Sequence, residues 1–368
     1  MEKLPVALLF GGRSAEHEVS VRSARNVAAL LLHRYEPVLV YLSREGRWSR
    51  TRQVKPFIDS GMDGCAWEPV FVLPDRGFKL IDAGSLKTVG SAACVYPVLH
   101  GPYGEDGTVQ GMLKLFDVPF VGADVTGSAA GMDKDVMKRL LREAGVPVPR
   151  FAVYEDYERA SLDFDRIREE LGVPLFVKPA NMGSSVGIRK VGEGGEFAAA
   201  VAEAFKYDTK IIIEESVSGR EIECSVLGNR ENPEASLPGE IRPAREFYSY
   251  ESKYVDEDGA ELIIPADLSD AEIARIRELA IQTFRVLCCH GMARVDLFLR
   301  EGRKSGPPDV LVNEINTLPG FTDISMYPKL WEASGVGGEE LVDRLIGLAF
   351  ERHRRESSLN TTREKDGN

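Results

Sequence analysis

Two short stretches late in the chain carry the residue types that hold hard cations. In Met292-Ala-Arg-Val-Asp-Leu-Phe, Arg294 and Asp296 stand two apart, and in Val310-Leu-Val-Asn-Glu-Ile-Asn so do Glu314 and Asn316. Strand side chains alternate with period two, so each pair shares one face if these stretches are strands. Between them, Arg300 to Asp309 holds two glycines and two prolines, enough to reverse the chain and pair the strands antiparallel. Asp296, Glu314 and Asn316 then converge as oxygen donors beside Arg294. Magnesium takes such donors and completes its octahedron with water and substrate phosphates. Two edge strands with solvated polar faces are the plainer alternative, but apolar neighbours on both strands argue for burial.

Three further segments bear on ligand chemistry. Val177-Lys178-Pro-Ala-Asn-Met-Gly183-Ser184-Ser185-Val-Gly187 ends a strand on a lysine and continues into a Gly/Ser loop. That combination offers a point charge and free backbone N–H groups to phosphate oxygens. It lacks the G-x-x-x-x-G-K-[ST] order of a Walker A loop, and a hairpin with a permissive turn reads it equally well. Ile211 to Glu215 is an apolar strand running into Glu214 and Glu215, which could offer backbone and carboxylate to an adenine amino group and ribose hydroxyls; a strand end with solvated acids is the alternative. Gly11-Gly12-Arg-Ser-Ala-Glu16-His-Glu-Val-Ser20 reads as a strand-to-helix turn. Its helix N-terminus favours anions and Glu16 would suit a bound ammonium, although glutamate is common in first turns without any function. His100, in Leu99-His-Gly-Pro-Tyr-Gly-Glu-Asp-Gly, reads by itself as structural.

The elements that must carry these residues alternate. Val6 to Phe10 is an apolar strand ended by glycines, followed by a helix with Val21, Ala24, Ala28 and Leu31 on one face. Pro37 to Leu42 and Ala93 to Leu99 read as further strands, which suggests a parallel sheet with crossover helices. Met132 to Gly145 predicts a helix, with Pro147 and Pro149 marking a joint. Beyond residue 151 come strands at Leu175 to Pro179, Ser185 to Val191 and Lys210 to Glu215, with a helix at Glu196 to Phe205. Strands near Glu221 to Leu227, Met292 to Leu299 and Asp309 to Asn316 follow, with a helix at Asp270 to Val286. Arg354 to Asn368 is polar and unpatterned and reads as a disordered tail.

Composition narrows the class. Acidic residues outnumber basic ones 58 to 46, for a formal charge of −12. With no basic stripe to offset that balance, neither nucleic acid nor an anionic membrane is expected as a partner. No apolar run approaches the ~20 residues that span a bilayer, and no signal peptide is evident at the N-terminus. The five cysteines are odd in number and lack CxxC spacing, so neither a disulfide framework nor a zinc site is encoded. A soluble cytoplasmic enzyme of two or three domains is the expectation.

Taken together, the segments resemble one family. Gly11 to Ser20, His100-Gly101, Lys178-Pro with Gly183 to Gly187, Tyr250-Glu-Ser-Lys253-Tyr254, Arg294-Val-Asp296 and Asn313-Glu314-Ile-Asn316-Thr-Leu-Pro-Gly320 resemble D-alanine–D-alanine ligase, in the right order, from about residue 5 to 350. The resemblance implies an α/β and α+β architecture: an ATP-grasp fold behind an N-terminal parallel-sheet domain. The implied domains are residues 1–125, 126–215 and 216–353, with 354–368 as the tail. It further implies ATP-dependent ligation of two D-alanines through a D-alanyl phosphate, a role in peptidoglycan precursor synthesis, and a homodimer. Two Mg²⁺ ions, or Mn²⁺ in their place, would be held by Asp296, Glu314 and Asn316, with Glu314 bridging.

Residue by residue, the resemblance assigns Lys134, Lys178 and Ser185 to the nucleotide phosphates, and Glu214, Glu215, Val217 and Glu221 to adenine and ribose. Glu16 would pair with the first ammonium, with Val19 and His100 beside it. Arg294 and the Gly320 N–H would face the oxyanion, and Ser325 would bind the second carboxylate. Ser184 and Tyr254 would hydrogen-bond towards Glu16, and Lys253 would reach a phosphate. The Gly183–Gly187 loop and the Tyr248–Asp258 segment would close as lids. The rivals are a depsipeptide-forming ligase with D-lactate as acceptor, another ATP-grasp carboxylate–amine ligase, and a non-catalytic nucleotide-binding module. Tyrosine at 254 favours D-alanine over D-lactate.

Overall fold

The apolar run Val6 to Phe10 forms the fully buried middle of β1 (Leu4–Gly11) in the computed structural model, which describes residues 3–74, 77–243, 260–300 and 308–360. Burial on both faces demands neighbours on both edges. β1 pairs in parallel with β2 (Tyr35–Leu42) and, after a long crossover, with β7 (Cys94–Val98). The connection into β2 is helix α1 (His17–Leu31), whose predicted stripe of Val21, Ala24, Ala28 and Leu31 is buried. The sheet is mixed rather than purely parallel. Four strands extend it in antiparallel fashion: β3 (Trp48–Thr51), β4 (Glu68–Pro74), β5 (Phe78–Asp82) and β6 (Thr88–Ala92), in the order β6-β5-β4-β3-β2-β1-β7. Short connections between β4, β5 and β6 favour hairpins over crossovers. Helix α2 (Val54–Ser60) lies between β3 and β4, and α3 (Thr108–Leu115) follows β7.

Two short helices, α4 (Val125–Met132) and α5 (Lys134–Glu143), replace the single helix expected from Met132. The break is Asp133, which leaves helical geometry and caps α5 by accepting from the Asp135 and Val136 amides. The second sheet is antiparallel, in the order β10-β9-β11-β8: β8 (Phe151–Glu155), β9 (Leu175–Pro179), β10 (Arg189–Val191) and β11 (Lys210–Glu215). Helices α6 (Phe164–Leu171) and α7 (Gly194–Ala204) share its apolar core. The strand expected from Ser185 begins only at Arg189, because Ser184 and Ser185 take left-handed backbone, φ +51° and +58°.

The third sheet carries the cation-type residues. It contains β12 (Gly219–Gly228), β13 (Glu234–Ala235), β14 (Gly239–Pro243), β15 (Ala260–Ile263), β16 (Gly291–Arg300) and β17 (Val310–Asn316). Its main path is β15-β14-β12-β16-β17, with β13 on the side of β12. Helix α8 (Asp270–Val286) starts with a reciprocal capping box between Ser269 and Glu272. After β17, α9 (Met326–Ala333) and α10 (Gly338–Ser357) return to the first sheet: Phe321, Tyr327, Trp331, Leu341 and Leu345 join the core of Leu8, Phe10 and Tyr96.

The tail expectation fails at its start, since Arg354 to Ser357 are helical. Helix propagation costs little once an element is anchored. Buried Arg352 supplies that anchor by donating to the Phe120 and Gly122 carbonyls, and Arg354 and Arg355 suit the carbonyl end of the helix. Residues 361–368 and the whole Tyr248–Asp258 segment, with Lys253 and Tyr254, lie outside the described residues. All five cysteines are free, and among the described residues no helix is long and apolar enough to cross a membrane.

Candidate active site

Glu16 occupies the N-cap position of α1 without capping it. An N-cap side chain ordinarily accepts from its own helix. Here the carboxylate turns outward and accepts from the Ser184 hydroxyl of the Gly/Ser loop. The approach is so close that a β-carbon on Gly101 would stand 2.7 Å from Glu16 Oε2, and one on Gly183 would stand 3.0 Å away. At Gly101 the left-handed backbone, φ +76°, favours glycine as well. Non-glycine residues in left-handed backbone cost free energy and cluster where a loop clamps something. Ser184 and Ser185 are such a pair, and Ser184 lines the cavity.

This carboxylate borders a cavity of about 590 Å³ lined from all three sheets. Of the expected residues it gathers Glu16, Val19, His100, Lys134, Ser184, Arg294, Glu314, Asn316, Gly320 and Ser325. The loop after β17 forms one wall and is held from behind. His100 donates from Nδ1 to the Leu318 carbonyl at 2.9 Å. That leaves Nε2 to accept from the Ser23 hydroxyl at 3.3 Å, while Ser23 accepts from the Phe321 amide. Burial lowers the His100 pKa, so the ring is neutral. Glu105 completes the clamp by accepting from the Gly101 and Leu318 amides at 2.8 and 3.2 Å. Burial, with the Glu16 charge adding to it, pushes the Glu105 carboxyl above the usual carboxylate range. Both backbone polar groups of Leu318 are therefore gripped two residues before Gly320. Ser325 is the N-cap of α9, and its hydroxyl pairs with Thr322 rather than with its own helix.

On the third sheet the register sets Arg294 opposite Asn316 and Asp296 opposite Glu314, so the four side chains share a face as expected. The donor set of two carboxylates and an amide fits a hard divalent cation. Among the described residues no three His, Cys, Asp or Glu side chains surround a point that could hold a metal ion. Arg294 grips both Asp296 oxygens at 2.7 Å, from Nε and Nη2. Lys134, at the start of α5, donates to the Met182 carbonyl at 2.7 Å and lies 3.5 Å from Glu314.

Asp296 on β16 lies outside this cavity lining, as do Lys178, Ser185, Glu214, Glu215, Val217 and Glu221, around the ends of β9 and β11 and the start of β12. The carboxylates expected to face adenine and ribose are engaged, because a buried charge must be paired. Glu214 lies between Lys138, 3.1 Å away, and Lys178, 2.5 Å away. In spite of full burial, the two ammonium groups hold its carboxyl down to about 2. Glu215 accepts from Arg150 at 2.8 and 2.9 Å and pairs with Arg300 at 3.1 Å. Partial burial opposes those partners, yet they keep its carboxyl below the usual range.

Sequence reasoning passed over Glu105, Lys138 and Glu223. Lys138 follows Lys134 by four, the spacing of one helix face, and Glu223 follows Glu221 by two, the spacing of one strand face. Those were the available signals. Glu105 had none, since its partners are backbone amides 4 and 213 residues away in sequence.

Most of the chain is similar to known proteins. Residues 5–123 match the family model described as D-ala D-ala ligase N-terminus, and residues 140–347 match the one described as D-ala D-ala ligase C-terminus. The chain is 46% identical to D-alanine–D-alanine ligase A of Escherichia coli (strain K12), across 98% of this chain and 100% of that protein. It is 45% identical to D-alanine–D-alanine ligase of Oceanobacillus iheyensis, across 98% and 99%. Among solved structures, the D-alanine-D-alanine ligase from Coxiella burnetii matches with a TM-score of 0.85 at 38% identity, covering 97% of both chains. The VanG D-Ala:D-Ser ligase from Enterococcus faecalis matches with a TM-score of 0.82 at 33% identity, covering 95% of this chain and 100% of that one.

Proposed function

The chain belongs to the D-alanine–D-alanine ligase family, and we propose that it joins two D-alanines in an ATP-dependent reaction, with each residue of the cavity in a distinct role. The observation that carries this reading is the convergence of an outward-turned N-cap carboxylate, a guanidinium and a free helix N-terminus on one cavity. These are the groups that an ammonium, a developing oxyanion and a carboxylate need. ATP-grasp ligases use ATP and a divalent metal; the finer assignment here is two Mg²⁺ or Mn²⁺ ions on Asp296, Glu314 and Asn316, with Glu314 bridging. Bound there, the ions would neutralise charge on the transferring phosphoryl group.

The protein's own groups then divide the work. Glu16 takes the ammonium of the first D-alanine, with Val19 and His100 shaping the wall beside it. Ser184 and Tyr254 tie the lids to Glu16, and exclusion of water protects the acyl phosphate from hydrolysis. Lys134, Lys178, Lys253 and Ser185 serve the phosphates. Glu214, Glu215, Val217 and Glu221 form the adenine and ribose end, where Lys178 exchanges Glu214 for a phosphate when nucleotide binds. Arg294 and the Gly320 N–H stabilise the oxyanion as the amine of the second D-alanine attacks, an interaction strongest in the transition state. Ser325, at the N-terminus of α9, receives the second carboxylate, where oriented amides favour an anion.

We further read residues 1–125, 126–215 and 216–353 as the domains, one sheet in each, and the protein as a cytoplasmic homodimer that supplies dipeptide for peptidoglycan precursors. The acid-rich composition supports the exclusion of nucleic acid and membrane as partners. Phosphate release from ATP tests the reading directly. D-alanine should stimulate it, and L-alanine, glycine or no amino acid should not. With equimolar D-alanine, D-serine and D-lactate, the main product near pH 7 should be D-alanyl-D-alanine. A depsipeptide or a D-serine dipeptide as main product would move the protein to another acceptor class.

A further inference from the structure

Glu223 lies on β12 directly beside Asp296 of β16, which in turn faces Glu314 of β17. Three carboxylates thus stand in register across three neighbouring strands, and the first has no role in the reading above. Its side chain is 8% exposed and borders the cavity. Arg294 sits between the first two. Its Nε is 2.9 Å from Glu223 Oε2 and 2.7 Å from Asp296 Oδ1, and its Nη2 is 2.7 Å from Asp296 Oδ2. The Nε–H is donated to Asp296, and Glu223 stands beside it on the other side as an ion pair.

The arrangement matters because Asp296 is asked for twice. Oxygens that accept a guanidinium fork cannot at the same time turn to a cation. If Asp296 were the only anchor, each metal-binding event would release a long, flexible cation from the place where it must meet the oxyanion. A second carboxylate on the far side removes that conflict. We propose that Glu223 is a positioning residue that retains Arg294 when Asp296 turns to the metal ion, so that metal loading and the oxyanion arginine become compatible. The proposal rests on the ligase reading.

Mn²⁺ binding tests it without turnover. Free Mn²⁺ is followed by electron paramagnetic resonance as the ion is titrated into protein saturated with ADP. The proteins are wild type, Glu223→Gln, Arg294→Met and the double variant, and their thermal melts establish that each is folded. In Glu223→Gln, Arg294 loses one of its two carboxylate partners among the described residues, and its hold on Asp296 competes with the ion. The Mn²⁺ dissociation constant should rise about tenfold, between what an exposed and a buried ion pair are worth. In the Arg294→Met background there is nothing to retain, so the same change should alter it less than twofold; the non-additivity is the signature. Glu223→Asp, which keeps the charge, should fall between wild type and Glu223→Gln. An unchanged constant in Glu223→Gln overturns the proposal, and so does an equal rise in both backgrounds, which would mean a direct field effect of Glu223 on the ion. A wild type that binds no Mn²⁺ overturns the metal assignment itself and this proposal with it.

Discussion

Lys138→Met replaces the cation that Glu214 does not share with the solvent-facing side. Lys138 Nζ lies 3.1 Å from Glu214 Oε1 and donates to the Asn313 carbonyl at 3.0 Å, and its side chain is wholly buried. A carboxyl held near 2 rather than 4.5 carries about 3 kcal/mol of pairing free energy. Two lysines supply it, and burial itself lowers the Lys138 pKa, which offsets part of the gain. About half, on the order of 1–2 kcal/mol, should be lost from folding stability in the variant, because Lys178 still pairs with Glu214. The remaining half should fall on nucleotide binding. When Lys178 leaves for a phosphate, the variant strands a buried carboxylate that the wild type keeps paired, and the ADP dissociation constant should rise at least tenfold. Thermal melts with and without ADP, and calorimetric titration with ADP, measure the two halves. The pH dependence follows from the sign of the shift. Pairing that lowers a carboxyl adds stability above its ordinary 4.5 and loses it as pH falls towards 2, so wild type and variant should converge over that interval. Equal ADP affinity in the two proteins would refute the exchange of partners at Glu214.

Other substitutions probe the remaining parts. Glu314→Gln should fold and bind ADP normally yet lose several kcal/mol of transition-state stabilisation, at least a hundredfold in kcat; near wild-type turnover at ordinary magnesium would remove Glu314 from the metal site. Glu105→Gln sets an amide NH₂ against one of two backbone N–H groups, a loss of about 1–3 kcal/mol at the loop that carries Gly320. Its kcat should fall roughly ten- to a hundredfold while ADP affinity is unchanged, as steady-state kinetics and calorimetry would register; unchanged kcat would mean that the Leu318 clamp does not position Gly320.

What the sequence determined by itself is local and periodic. The stripe at Val21, Ala24, Ala28 and Leu31 could only be a helix face, and the two-residue spacings at Arg294/Asp296 and Glu314/Asn316 could only share a strand face. The shared faces were therefore legible from alternation, and the Gly/Ser loop and the turn that carries Glu16 from their residue types. Tertiary structure decided which partner each charge meets. That Glu16 leaves its own helix for Ser184, that Glu214 is enclosed by two lysines, and that Glu105 holds an amide 213 residues away all depend on how three sheets close on one cavity. Pattern fixes which side of an element is buried, because neighbours along a strand or helix see one another. It carries nothing about which distant charge lies across a seam, since the cost of burying a charge is met by whichever partner the packing brings near. Asp296 shows the division most plainly: its face was readable from the alternation of β16, and its engagement with Arg294 and the nearness of Glu223 were decided by the register of three strands.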